Sequence, residues 1–130
     1  MPPLSAIPRI LVVEDDDSIA AALHFIVVRE GMHCDRIASG LGAMDLIRNT
    51  RPDVVLLDVM LPEVSGYDIC HDVRHDAALA SVKILMMTAR GSASERQKAL
   101  ALGADGFVTK PFDLAGLRRE LHRLADVAAP

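Results

Sequence analysis

Tryptophan is absent, tyrosine occurs once, and with three phenylalanines the aromatics make up only 3% of this 130-residue chain. A nucleic-acid surface built from stacking rings among basic side chains needs more of both. The charge balance runs the other way, with 14 Lys and Arg against 18 Asp and Glu for a formal net charge of −4. This segment is therefore expected to bind no nucleic acid. Its two cysteines, Cys34 and Cys70, cannot build a disulfide framework, and neither has a partner at CxxC or CxxH spacing. They read as free, buried thiols in a reducing compartment. The stretch from Met1 to Pro8 holds three prolines and no basic residue, which excludes a secretory signal there. Apolar runs stop at charged or proline positions well short of a membrane span, so no membrane is expected and the location is read as cytoplasmic.

What is present is an ordinary globular composition, 51% hydrophobic and 25% charged. The length fits one domain, and a chain of this size buries roughly two-thirds of its unfolded surface, enough for a core without staples.

Short apolar runs alternate with helical stripes. Ile10-Leu-Val-Val13 reads as a strand buried on both faces and leads into four consecutive acids, Glu14 to Asp17. Asp16 or Asp17 is placed to cap a helix whose stripe is Ile19, Leu23, Ile26 and Val27, closed by Gly31. His33–Ile37 is a weak strand, and Leu41–Asn49 a short helix with Met44 and Ile47 inward. Val54-Val-Leu-Leu57 is the most strand-like run, ending in Asp58. Val59 to Pro62 must be loop, because proline cannot continue a central ladder. Ser65 with Asp68, and Ser92 with Glu95, have capping-box spacing before the stripes Ile69, Cys70, Val73 and Ala99, Leu100, Leu102. Ile84-Leu-Met-Met87 is a buried strand ending in Thr88, and Phe107-Val-Thr109 the last strand, followed by Lys110-Pro111. Asp113 caps a final helix with Leu114, Leu117, Leu121 and Leu124 on one side. The methionines Met60, Met86 and Met87 read as core filler and loop packing. The five histidines read as surface or helix residues, since no pair shares a metal spacing with a third partner.

Five strand-then-helix units predict a doubly wound α/β fold: a parallel sheet with right-handed crossovers and helices on both faces. In such sheets ligands gather at the carboxyl ends of the strands. Those ends carry Glu14, Asp15, Asp58, Thr88 and Lys110. Carboxylates converging at one edge repel each other unless a cation joins them, and hard oxygen donors with room for water favour Mg²⁺. A lysine and a hydroxyl opposite them suit an anion. Carboxylate, divalent ion, hydroxyl and ammonium together are what phosphoryl transfer needs, with Asp58 as the nucleophile that becomes an aspartyl phosphate. Taken singly, each residue has a plainer role as cap, turn or surface residue. The argument rests on all these strand ends being polar at once.

These residues carry a resemblance to bacterial two-component response-regulator receiver domains, spanning about residues 9–126. The matching motifs are Ile10-Leu-Val-Val-Glu-Asp15, Val55-Leu-Leu-Asp-Val-Met-Leu-Pro62 followed by Gly66, Met87-Thr-Ala89, Gly103-Ala-Asp-Gly-Phe107 and Lys110-Pro-Phe112. Thr88 stands 30 residues after Asp58, and Lys110 a further 22 after Thr88. The resemblance implies a (βα)5 sheet of order 2-1-3-4-5. It implies that Asp58 is the phosphoacceptor and that Glu14 and Asp15, with Asp58 and the backbone carbonyl of Met60, bind Mg²⁺. Thr88 would be the hydroxyl that moves to the phosphoryl group, Lys110 the ion-pairing lysine, and Phe107 the switch aromatic that turns inward when Thr88 moves. The Lys110–Pro111 bond is usually cis in the family. Three features depart from or sit loosely in the pattern: phenylalanine instead of the commoner tyrosine at 107, an acid run four residues long, and Met60 and Arg90 flanking the site where members vary.

The implied function is a two-state switch. A sensor histidine kinase or phosphotransfer protein supplies the phosphoryl group, and an output domain or protein partner reads the face of helix four, strand five and helix five, about residues 92–125. A homodimer through that face is carried as a hypothesis. The chain is expected to be a self-phosphorylating phosphoacceptor, not a turnover enzyme. Its parts are expected to be a flexible arm over 1–8, the receiver over 9–126, and a tail or linker start over 127–130. A haloacid-dehalogenase-type phosphatase would need an acid where Met60 stands. An FMN carrier would need a phosphate-binding loop where four acids stand instead. The alternative kept open is a degenerate receiver, an interaction module that is never phosphorylated. Such modules usually lack one of the key residues, all of which are present here.

Overall fold

The computed structural model describes residues 7–89 and 91–125. Five strands, β1 (Arg9–Val13), β2 (His33–Ile37), β3 (Val54–Asp58), β4 (Lys83–Thr88) and β5 (Gly106–Thr109), alternate with five helices. These are α1 (Asp17–Arg29), α2 (Ala43–Thr50), α3 (Gly66–Arg74), α4 (Ala93–Ala101) and α5 (Leu114–Ala125). All strand pairs are parallel, in the order β2-β1-β3-β4-β5. The fold class and strand order therefore agree with the expectation. The arm and tail expected over 1–8 and 127–130, and the flanking Arg90, lie wholly or largely outside the described residues.

The sheet is buried on both faces, which is why its strands read as unbroken apolar runs rather than alternating ones. Side chains of period two divide between two cores. Leu11, Val13, Val55, Leu57, Ile84 and Met86 pack with residues of α2, α3 and α4, including Ile47, Ile69 and Ala99. Ile10, Val12, Val54, Leu56, Leu85 and Met87 pack with α1 and α5 through Leu23, Val27, Leu117 and Leu121. All five residues of β3 are buried, and each large aliphatic side chain so placed contributes about 1.5–3 kcal/mol.

Several local expectations are corrected. α2 begins at Ala43, not Leu41, because Gly42 takes a left-handed φ of +79° that cannot lie inside a helix; Leu41 is left exposed. Leu100 and Leu114 face outward. Leu114, the first residue of α5, lines an open groove with Phe25 instead of reaching the core. Met60 is 74% exposed on its loop, unlike the buried Met86 and Met87. Cys34 is only half-buried, whereas Cys70 is buried; both thiols are free, and burial pushes each up to about 11.

The Ser92 capping box is half made, and at Ser65 the hydroxyl caps the helix without forming the box. Ser65 Oγ accepts from the Tyr67 amide rather than from Asp68, and Ser92 Oγ accepts from the Glu95 amide while the Glu95 carboxylate takes the Tyr67 hydroxyl. For α1 the cap is Asp16, whose carboxylate accepts from the Ile19 amide at 2.9 Å. Asp16→Ala is expected to lower stability by about 1 kcal/mol, measured by urea denaturation. Asp17→Ala, the control in the first helical turn, should change it by less than half of that.

Candidate functional site

The carboxyl ends of β1, β3, β4 and β5 meet at one edge because the parallel ladders keep them in step. Asp58 pairs with Met87, and Thr88 with Thr109. Beyond the ladders, the Glu14 amide donates to the Ile37 carbonyl at 3.2 Å, the Val59 amide to Met87 at 2.9 Å, and the Lys110 amide to Thr88 at 2.8 Å. These bonds carry the backbone order of the sheet one residue past its rim. They fix where the first polar side chains begin.

Glu14, Asp15 and Asp58 each place a carboxylate oxygen within 4.8 Å of the others. Glu14 and Asp58 are buried, at 1% and 4% exposure, while Asp15 is open to solvent. Lys110 Nζ lies between the two buried acids, 2.5 Å from Glu14 Oε1 and 3.2 Å from Asp58 Oδ2. Burial pulls the Lys110 ammonium down, but the hydrogen bonds and charges of Glu14 and Asp58 outweigh it and hold the group above the ordinary lysine value. One cation against three carboxylates leaves the cluster net negative. Hard oxygen donors with one open side are the donor set a divalent cation of the magnesium type uses, and the residues present fit such an ion.

Asp58 is further oriented by the Met60 amide, which donates to Oδ1 at 3.1 Å. It is thus the amide of Met60 that touches the aspartate side chain. Thr88 is buried, at 2% exposure, at the end of the neighbouring strand. Phe107 is already buried, packed within the core on the α2–α3–α4 side of the sheet, so its ring stands inward in this structure. The Lys110–Pro111 peptide is cis.

One contributor was not found from the sequence, and a second was found without its reason. Arg36 on β2 donates Nε and Nη2 to the Glu14 backbone carbonyl at 3.0 and 2.8 Å, and its Nη2 also meets Asp17 at 2.9 Å. This guanidinium braces the turn that carries Glu14 and Asp15, yet an arginine in a weak edge strand gives no signal of it. Gly66 begins α3 directly behind Asp58, and a Cβ there would stand 2.9 Å from the Asp58 carbonyl carbon and closer still to its oxygen. The motif spacing singled out Gly66 but not the reason for it.

Residues 10–122 match the family model described as the response regulator receiver domain. Among curated proteins, the phosphate regulon transcriptional regulatory protein PhoB of Rhizobium meliloti is 37% identical over 124 residues, covering 95% of this chain and 55% of that protein. The chain spans about half the length of the curated relatives it matches. Among solved structures, a putative response regulator from Chloroflexus aurantiacus superposes with a TM-score of 0.88 at 32% identity, covering 92% of this chain and 98% of that one. The receiver domain of a sensor histidine kinase from Pseudomonas aeruginosa, solved with a magnesium ion coordinated in its active site cleft, gives 0.84 at 28% identity over 92% of this chain and 98% of that one. Among the described residues, no helix is long and apolar enough to cross a membrane.

Proposed function

The chain belongs to the response regulator receiver domain family, and on that premise we propose that Asp58 is its phosphoacceptor. The observation that carries this reading is the setting of one carboxylate, buried at the tip of the central strand, between a lysine ammonium and two further acids. The receiver unit is taken as residues 9–126.

In the proposed reaction, an Asp58 carboxylate oxygen attacks the phosphorus of a phosphohistidine on a sensor kinase or phosphotransfer protein. The new O–P bond forms as the P–N bond breaks, and the imidazole departs with the electron pair. The Met60 amide on Oδ1 and Lys110 Nζ near Oδ2 hold the carboxylate so that it does not rotate freely. Glu14, Asp15, Asp58 and the Met60 carbonyl would hold Mg²⁺, whose chemistry there is to neutralise phosphoryl oxygens that the acids would otherwise repel. After transfer, Lys110 pairs with the phosphoryl group, and the Thr88 hydroxyl moves to bond it.

Thr88 and Phe107 couple that change to the face of α4, β5 and α5, which an output domain, a partner protein or a second copy would read. Only one arrangement of the β4–α4 connection permits the new bonds, so phosphorylation shifts a two-state balance. The domain acts as a cytoplasmic phosphoacceptor in signalling, not as a turnover enzyme. The degenerate-receiver alternative is not favoured, because Glu14, Asp15, Asp58, Thr88 and Lys110 are all present.

The test is intact-protein mass spectrometry after incubation with acetyl phosphate and Mg²⁺. One added phosphoryl mass is expected, absent with chelator and absent in Asp58→Asn. No mass gain in the unmodified chain, or an undiminished gain in Asp58→Asn, overturns the assignment.

A further inference from the structure

At the end of α3 away from Asp58, His71 and His75 stand one helical turn apart, both exposed. Their rings stack with centroids 4.0 Å apart and planes inclined by 25°. His75 Nδ1 lies 2.8 Å from the His71 carbonyl oxygen. A carbonyl only accepts, so in the neutral ring the proton is on Nδ1 and the lone pair on Nε2. His71 Nδ1 faces the Asp72 carboxylate at 3.4 Å, again an acceptor only, which favours the same tautomer. Neither Nε2 has a hydrogen-bond or ion-pair partner among the described residues.

Imidazoles that bind metals are oriented in this way, with the second ring N–H held by a carbonyl or carboxylate. An ion bound at about 2.0–2.1 Å from each nitrogen requires the two nitrogens to lie within about 4 Å of each other. The ring centroids stand 4.0 Å apart, and a turn of the rings about their side-chain bonds, out of the stack, is what would aim both Nε2 lone pairs at one ion. We propose that His71 and His75 form a two-nitrogen chelate for a late first-row divalent transition-metal ion, with water in the remaining coordination positions. In sequence this pair reads only as surface or helix histidines, and the fold shows both Nδ1 groups occupied and both Nε2 groups open.

Ligand chemistry separates this site from the acidic cluster at the other end of α3. Two imidazoles select Cu²⁺ and Ni²⁺ ahead of Zn²⁺ and have little use for Mg²⁺, whereas the carboxylates of Glu14, Asp15 and Asp58 suit the hard ion. The other described histidines lack the pairing. His122 Nε2 is taken by Glu30 at 2.7 Å, and neither His24 nor His33 has a stacked ring beside it. A bound ion would tie the last turn of α3 to the turn before it.

The test is calorimetric titration of the whole chain with Ni²⁺ in millimolar Mg²⁺, beside His71→Ala, His75→Ala and His24→Ala. One site is expected, weakened roughly tenfold or more in either of the first two variants, because losing one nitrogen removes the chelate. It should be unchanged in His24→Ala. In carbon–proton spectra, the ring resonances of His71 and His75 should broaden at the lowest Ni²⁺ additions. Asp58→Asn should keep this binding, so the site stands or falls independently of the phosphoacceptor assignment. Equal Ni²⁺ affinity in the wild type and both histidine variants, or broadening that begins at His24, His33 or His122, overturns the proposal.

Discussion

Lys110→Met is expected to lower the free energy of unfolding by about 3 kcal/mol when measured in chelator, the low end for breaking a buried ion pair. The reason is what the change leaves behind. Glu14 is 1% exposed and its Oε1 has Lys110 Nζ at 2.5 Å, so removing the ammonium leaves a buried carboxylate supported only by the Asp16 amide on Oε2 at 3.1 Å among the described residues. Asp58 loses its contact at 3.2 Å in the same stroke. The side chain of Lys110 keeps 16% exposure, which is why the low end of the range applies. Saturating Mg²⁺ should restore part of the loss, because a cation that binds only the folded cluster stabilises it by mass action. Urea denaturation with and without Mg²⁺ measures both effects, and a variant as stable as the parent in chelator would refute the argument.

The pH dependence has a definite sign. Lys110 is held above its ordinary value of 10.5, so the folded state keeps this proton longer than the unfolded chain does. Its contribution is therefore complete below about 10.5 and is lost as the pH rises through the higher folded value. Lys110→Met should flatten that part of the alkaline stability curve.

Gly66→Ala is expected to cost about 3 kcal/mol and to slow phosphoryl uptake from acetyl phosphate by roughly a hundredfold. The added methyl group would stand 2.9 Å from the Asp58 carbonyl carbon and 3.0 Å from Val59 Cα. Both are backbone atoms, which no rotamer change can move aside. Either α3 lifts off the sheet, or the turn after β3 shifts and takes the Met60 amide away from Asp58 Oδ1. The Gly66 amide bond to the Val59 carbonyl, at 3.1 Å, strains in both cases. Gly116→Ala is the control. Its nearest neighbour is the Asp113 carboxylate at 3.1 Å, which can swing away, so stability there should change by less than about 1 kcal/mol. Urea denaturation and the rate of mass gain would show both outcomes, and a Gly66→Ala protein with parental stability and uptake would defeat the reasoning.

Much of this protein was legible in one dimension. The doubly wound sheet followed from apolar runs such as Val54–Leu57 alternating with stripes such as Leu117, Leu121 and Leu124, because a strand covered on both faces and a helix covered on one impose different periods on the sequence. The polar strand ends were legible too, since every parallel strand delivers its last residue to the same edge. Boundaries were less so: the start of α2 was set by a positive φ at Gly42, and Leu114 was left outside the core although its spacing continued the stripe.

Sequence alone determined which residue types arrive at the sheet's carboxyl edge: Glu14, Asp15, Asp58, Thr88 and Lys110. Tertiary structure alone decided how they are used. It set Lys110 between two buried acids, gave Asp58 the Met60 amide, put Arg36 under the Glu14 carbonyl and left Gly66 no room for a side chain. The physical reason is the range of the forces involved. Periodicity and capping act between residues a few positions apart and leave their mark on the sequence. Contacts such as Lys110 with Glu14, 96 positions apart, exist only after the sheet has closed the distance.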